Sequence, residues 1–590
     1  MAAPATAASL LPQDQPAQDL ELFLGDPCDP ARSFSFARSF AHDEAETLPY
    51  EACALLTKWG LQQFYIPEAL GGQLSSFERV GSLMRTVARR DMTVAWTHGL
   101  NTLFGAIHPW LWGSTDRQAQ VAYAIGKGSS VAIGYTERAH ASDLTGIGLS
   151  AEPTGSGYRL TGEKWMIGNA TRSDMLTVFA RTRPEGGLRG FSLLLVDKRE
   201  LDPATYEPMP RLKTLGLRGS EVSGIRFKGA ALGATALIGV EGGGFEQTLK
   251  GFQVTRSLVS PLLLGTADTA LRSALSSAVD RSAGTTVVRQ AYHRDLLAGA
   301  FVDLLACECL SRVTLRALHT LPAQTTITAA VAKYFVPTTI GAALRTLSIV
   351  LGADHYRRAP HETGMFQKML RDSAIAAVGH VGSAINLYSI GQQLRACAEE
   401  RRQRRAPQLE RAELTCALSR DLPAFNPTQI AISARGQDDL LAGFLSLAPD
   451  DLLRGGADRQ TAELLVTLIP ALRSAIDELD RLVLDAAAKR GAHFVESPAC
   501  FLLAKRFCAL FTAASCILVW HYNQETLGGF WAEGAWLALT LHRLLAPLRI
   551  ALPALPSAIA AGVIQALLTL YGEHRSFALT PLQLAGDVLS

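Results

Sequence analysis

The chain has 590 residues, of which 48% are hydrophobic, 19% charged and 7% aromatic, with a formal net charge of +2. So apolar a chain is not a disordered one, its length excludes a disulfide-stapled mini-protein, and at roughly 150 residues per domain it holds about three to four domains. The near-neutral charge calls for no nucleic-acid or acidic partner.

The N-terminal stretch MAAPATAASLLPQDQPAQDLE has neither a basic segment nor a long apolar core, so no secretory signal is expected. Nine scattered cysteines without a CxxC pair fit free thiols in a reducing cytosol. The expected location is cytoplasmic, and no metal site is predicted.

Residues 1–130 read as helices. Tyr50–Leu61 and Ser75–Arg90 carry apolar residues at helical spacing, as in Phe77, Val80, Leu83, Met84 and Val87. FYIPEALGG (64–72) between them is a turn punctuated by Pro67 and a glycine pair. Residues 131–240 change period. VAIGYT (131–136), GYRLTGEKWMI (157–167), MLTVFAR (175–181), FSLLLVD (191–197) and VSGIRFK (222–228) read as short strands, and their spacing predicts a small antiparallel barrel or sandwich.

From Gly242 the helical period returns, with Phe245, Leu249 and Phe252 on one stripe. EERRQRRAPQLERAE (399–413) is dense in charge and reads as a solvated face or linker, with a ligand-phosphate or partner contact as the alternative. Residues 462–489 predict one helix, or two around Pro470; residues 507–520 are apolar all round and predict burial. Ala551–Tyr571 is the most membrane-like stretch. Its Pro553, Pro556, Gly562 and Gln565 favour a core helix over surface membrane contact. The fold class is therefore mainly α with a small β domain.

Six strings occur in an order that resembles the acyl-CoA dehydrogenase superfamily. LQQFYIPEALGGQ (61–73) looks like its IPE-x-x-GG turn, TERAHASD (136–143) like TEP-x-AGSD, and GYRLTGEKWMIGNATRSD (157–174) like Y-x-L-x-G-x-K-x-W-I-T-N. LKTLGLRGSEVSGIRFKGAAL (212–232) is similar to the K-x-G-x-R-x-S segment, GVEGGGFEQTL (239–249) to the link into the first long C-terminal helix, and FQKMLRD (366–372) to the K-x-x-R-D stretch. The resemblance ends near residue 396. It implies an N-terminal helical domain (1–130), a middle antiparallel β domain (131–240) and a C-terminal helical bundle (241–396). The additional helical domain (397–590) resembles the extension of very-long-chain acyl-CoA dehydrogenases, which supports a homodimer and possible peripheral membrane contact.

The resemblance also implies FAD and an acyl thioester, carried on CoA or a carrier protein and dehydrogenated at its α and β carbons; the electron acceptor is left open. It assigns Thr136, Ser142, Met166, Gly168, Arg281 and Gly352 to the cofactor, and Ser142 and Arg256 to the substrate. Trp165 stands one place earlier than the family's tryptophan, and in a strand a one-residue shift reverses the face; the usual threonine is Gly168. LGADH (351–355) has Asp354 where a carboxylate opposes a pyrophosphate.

A dehydrogenase of this kind needs a general base. Counting from Arg371 and Asp372, the glutamate of the family's Y-E-G-T falls on His380, and the alternative base position, before Arg256, is Thr255. Three readings of His380 follow. It is the general base, with an ordinary pKa of about 6.5. Or it resembles the histidine that helps stabilise a flavin hydroperoxide in flavin monooxygenases of this superfamily. Or the chain is an inactive binding or scaffold homologue, with His380 a polar residue in a small-residue helix.

Overall fold

The computed structural model describes residues 10–141, 143–280, 290–359, 361–403, 408–453 and 456–586. Two compact units divide these residues. One takes in Met1–Ala37, Ser76–Arg90 and Arg256–Ser590, the other Arg38–Ser75 and Asp91–Thr255, counting only the described residues.

The second, mixed unit begins with helices at Tyr50–Trp59, Met92–Trp112 and Thr115–Gly126, the middle one widening to a π-turn over Ala95–Leu100. Eight strands follow: β1 Val131–Gly134, β2 Ser150–Thr154, β3 Gly157–Gly168, β4 Met175–Arg181, β5 Phe191–Asp197, β6 Tyr206–Met209, β7 Val222–Gly233 and β8 Leu237–Ile238. They form one sheet in the order β6-β7-β3-β2-β4-β5-β8, with β1 paired to β4. The predicted purely antiparallel pairing is corrected in two places: β1 runs parallel to β4, and Ser150 of β2 meets Arg181 of β4 in parallel. Both follow from burial, because β4 and β5 are covered along nearly their whole length and an apolar run without alternation suits a strand with a neighbour on every side. β2, β6 and β8 are short and poor in apolar alternation, so the sequence period did not reveal them.

The first, helical unit is built on Phe77–Arg90, Val259–Asp280, Ala291–Thr320, Thr325–Leu351 and Ser383–Arg402. Ala291–Thr320 is buried along nearly all its turns, and Pro498–Leu527, Ala535–Leu545 and Ser557–Gly572 pack on it. The segment from Arg459 to Arg490 is one helix with Pro470 inside it. Residues 507–520 are buried almost throughout, as their composition predicts. Ser557–Gly572 starts beyond Pro556 and buries one stripe, Ile559, Val563, Leu567 and Leu570, leaving its other face open; it is less buried than a core helix. Pro322–Tyr356 and Pro498–Leu527 are long and apolar enough to cross a membrane by composition, and the latter buries 72% of its apolar window. Eight of the nine cysteines are buried, and all nine are free.

A buried charge network crosses this unit. Arg312 meets Asp14 at 3.0 Å, Glu308 at 2.9 Å and Glu78 at 3.3 Å. Burial works against its charge, but Asp14, Glu308 and Glu78 outweigh it and hold the guanidinium above its ordinary pKa. Arg316 pairs with Glu78 at 2.7 Å and donates to the carbonyls of Leu414, Thr415, Ala417 and Arg420. Arg85 meets Glu308 at 2.8 Å, and Glu308 also accepts from the Leu579 amide. The charge-dense run contributes a second such site. Arg401, predicted as solvated, is buried between Asp480 (2.6 Å) and Asp438 (3.0 Å), because the paired carboxylates replace the water that a charge needs.

Glu78→Ala leaves Arg312 and Arg316 each short of a buried carboxylate. It is expected to destabilise the helical unit by about 3–5 kcal/mol, seen as a lower denaturation midpoint in urea. A midpoint within error of the wild type would show that the network contributes no stability.

Candidate functional site

The sequence-assigned residues fall into two sets, one in each unit. In the mixed unit, β3 runs antiparallel to β7, with Trp165 opposite Gly224 and Ile167 opposite Ser223. Met166 has no partner in this ladder. It is a bulge, at φ +61°, and one extra residue in a strand shifts the phase of those that follow. Trp165 and Ile167 therefore stand opposite adjacent residues of β7 and so on opposite faces, where a regular strand would put them on one. Met166 is 51% exposed and so is not core filler.

Thr136 lies beside this bulge. Its hydroxyl donates to the Trp165 carbonyl at 2.6 Å, and its carbonyl accepts from the Trp165 amide at 3.0 Å. Arg138 lies over the Trp165 ring at 5.6 Å. Gly168 abuts the end of the π-turn, and a Cβ there would stand 2.6 Å from Asn101 Nδ2. The neighbouring Asn169, at φ +60°, donates to the Thr97 carbonyl at 2.6 Å, while its Oδ1 is buried with no hydrogen-bond partner. The exposed, unpaired bulge residue Met166 and the orphaned buried acceptor of Asn169, next to the end of β3, fit a planar ligand with a hydrogen-bonding edge. The sequence pattern missed Thr97 and Asn101, for which a π-turn is a signal only in three dimensions.

Lys164, two residues before Met166, is buried and pairs with Glu137 at 2.9 Å. Burial lowers its pKa to about 8 against the pull of Glu137, while Glu137 also accepts from the Gly148 and Leu149 amides. This pair ties the TER segment to β3. The helix Gly244–Ser257 is seated in the mixed unit by Gly251, where a Cβ would stand 2.5 Å from His108 Nε2. His108 bonds the Tyr135 hydroxyl at 2.7 Å, and burial pushes its pKa down to about 3. Thr255 is buried and its hydroxyl turns back to the Phe252 carbonyl. It supplies no base.

In the helical unit, Arg256, His380 and two residues the sequence reading missed come together. His380 is not within a helix, as the small-residue pattern suggested. The chain leaves its 3₁₀ turn at Ala377 and restarts a helix only at Ser383. Between them His380 sits at φ +48° and Val381 at φ +75°, a strained conformation for a β-branched residue. Lys333, 1% exposed, donates to the carbonyls of Ala376 (2.5 Å) and Gly379 (2.7 Å). Asn386 donates to those of Val381 (3.1 Å) and Gly382 (2.9 Å), and Arg256 orients Asn386 by donating to its Oδ1 at 3.0 Å. Four carbonyls of the loop are thus held around His380.

These groups set each other's charge. Burial, with Arg256 nearby, lowers the Lys333 pKa to about 7. Burial also lowers Arg256 to about 10. Partial burial and the Lys333 cation push the half-buried His380 down to about 3, so it is a neutral imidazole at pH 7. The one signal for Lys333 in the sequence is a lone lysine in the apolar run AAVAKYFV. Gly352, at φ +63°, opens a 3₁₀ turn in which His355 Nδ1 meets its carbonyl at 2.5 Å; Asp354 lies 3.4 Å from Arg357. Ser142 and Arg281 lie outside the described residues.

Residues 132–230 match the acyl-CoA dehydrogenase middle domain and residues 242–394 its C-terminal domain. A probable acyl-CoA dehydrogenase of Mycobacterium tuberculosis is 30% identical over 240 residues, 40% of this chain and 61% of that protein; the match thus spans under two thirds of the relative. Butyryl-CoA dehydrogenase from Megasphaera elsdenii superposes with a TM-score of 0.59 at 20% identity, over 65% of this chain and 98% of that one. PigA with FAD and proline gives 0.57 at 17%, over 65% and 96%, so both are likenesses of fold. Residues 132–230 and 242–394 thus carry the middle and C-terminal domains of the acyl-CoA dehydrogenase family, and neither match extends into the helices beyond residue 394.

Proposed function

We propose that the chain is an FAD-dependent oxidoreductase that removes hydrogen from the α and β carbons of an acyl thioester. The family supports the substrate class, and the FAD-bound fold neighbour supports the cofactor. Thr136, Met166 and Gly168 would hold FAD on the mixed unit. Bound there, FAD would supply the hydride acceptor. The carrying observation is the loop around His380. A strained backbone persists only where its surroundings impose it, and here Lys333, Asn386 and Arg256 do so through buried hydrogen bonds. That is the build of a working site rather than of a decayed scaffold.

By the count from Arg371 and Asp372, His380 is the residue that would take the proton. An imidazole titrating near 3 is a weaker base than one matched to neutral pH, so slow proton abstraction is the expected signature. The same neutral imidazole favours one second reading, oxygen-using flavin chemistry. There His380 is a hydrogen-bond donor and need not take up a proton.

The purified protein should carry the absorbance of oxidised flavin, and an acyl-CoA added anaerobically should bleach it slowly. His380→Ala should slow bleaching by about 100-fold or more, and His380→Glu should speed it. Bleaching by His380→Ala at the wild-type rate removes His380 from the reaction. Turnover only with externally reduced flavin and oxygen selects the second reading.

Lys333 gives a separate check by pH. Its pKa is lowered by folding, so between about pH 7 and the ordinary lysine value of about 10.4 the unfolded chain binds the extra proton. Stability from this group then rises with pH across that window and is flat below it. Lys333→Met is expected to show a smaller rise between pH 7 and 9 in denaturation midpoint. Parallel pH profiles for the two proteins would refute the lowered pKa.

A further inference from the structure

The helical unit has a cavity of about 460 Å³ lined, apart from Phe335, by residues beyond the family-matched ones, within the usual range for small-ligand sites. Its walls come from one face of Pro498–Leu527 and from the end of Ala535–Leu545. Lys505, Arg506, Arg543 and Arg549 line it, over an apolar floor that includes Phe335 and Leu544. Of the apolar lining, Phe335 is 7% exposed and Leu502 is 65% exposed.

Two of the four cations are held in place from behind. Arg543 grips Asp303 with two bonds, at 3.0 and 2.7 Å. Arg506 pairs with Glu478, while its Nε is buried without an acceptor. Lys505 and Arg549 are exposed, and neither forms an ion pair among the described residues. Arg549 holds φ +59° immediately after the turn Ala546–Leu548 that contributes to the wall. Two carboxylates against four cations leave a local excess of two positive charges. Guanidinium groups arranged in this way suit phosphate or carboxylate oxygens, and the floor suits an alkyl chain.

We propose that this cavity binds a single-chain anionic amphiphile, an acidic head on an alkyl or acyl tail, taken from solution as a monomer. A volume of about 460 Å³ with four cations along its lining suits one head and one chain rather than a bilayer surface. None of its lining residues is among those assigned to the flavin or holding the loop around His380.

The test is calorimetric titration of the full-length protein with dodecyl phosphate below its micellar concentration. One saturable site is expected, weakened about tenfold or more in the double variant Lys505→Glu/Arg549→Glu and weakened as salt rises. Both positions are exposed, and a retained thermal midpoint verifies folding. Ala509→Phe, which fills the cavity with every charge intact, should also weaken binding. The proposal is overturned if inorganic phosphate binds as tightly, which means an adventitious ion only. It also falls if both variants bind like the wild type, or if only phosphatidylglycerol vesicles bind.

Discussion

Arg312 and Arg316 stand one helical turn apart on a helix that water barely reaches, and their charges dictate what packs around it. Asp14 arrives from the N-terminal segment, Glu78 from Phe77–Arg90, and Glu308 from the same helix one turn earlier. The carbonyls from 414 to 420 and the amide of Leu579 close the remaining directions. Apart from Glu308, the partners come from separate stretches of chain, so within the helical unit the network fixes how Asp14, the helix Phe77–Arg90 and the segments around residues 414–420 and 579 meet Ala291–Thr320. Three cations, Arg85, Arg312 and Arg316, face three carboxylates, which makes such burial tolerable. Hydrophobic packing would accept several helix registers; paired charges accept one.

The loop that carries His380 handles charge in the opposite way. Lys333 and Arg256 are buried there too, yet the bonds they make run to backbone carbonyls and to an amide oxygen. The position where the family pattern has a glutamate is a neutral imidazole. The site is therefore more positive than a glutamate-bearing one, which lowers the proton affinity of everything within it. The hydrogen bonds that shape the loop survive without the carboxylate because they act on main-chain atoms. The hydrogen bonds that hold the loop come from Lys333, Asn386 and Arg256, and none of them uses the side chain of residue 380.

Much of the architecture was legible along the chain. The switch from helical spacing to short β runs near residue 131, and back near 242, marks real changes of element, because burial on one face leaves a period in the sequence. β2, β6 and β8 were missed because short strands leave too few alternations. Arg401 was read as solvated because a charge run looks alike whether water or a pair of aspartates surrounds it. Lys333 and Asn386 were missed for a related reason: their partners are backbone carbonyls, which every residue carries and no sequence distinguishes.

The sequence by itself determined the family-like order of segments, the replacement of the expected glutamate by His380 and the one-residue displacement of Trp165. These are facts of identity and spacing. Only the tertiary structure decided what they mean. It showed an unpaired bulge at Met166 beside the displaced tryptophan, since a bulge is a pairing event between two strands. It moved His380 from a helix to a strained loop, since positive φ values there depend on hydrogen bonds from residues six to 124 positions away. It also set the charge of that histidine, because a pKa responds to burial and to neighbouring ions and not to the residue's name.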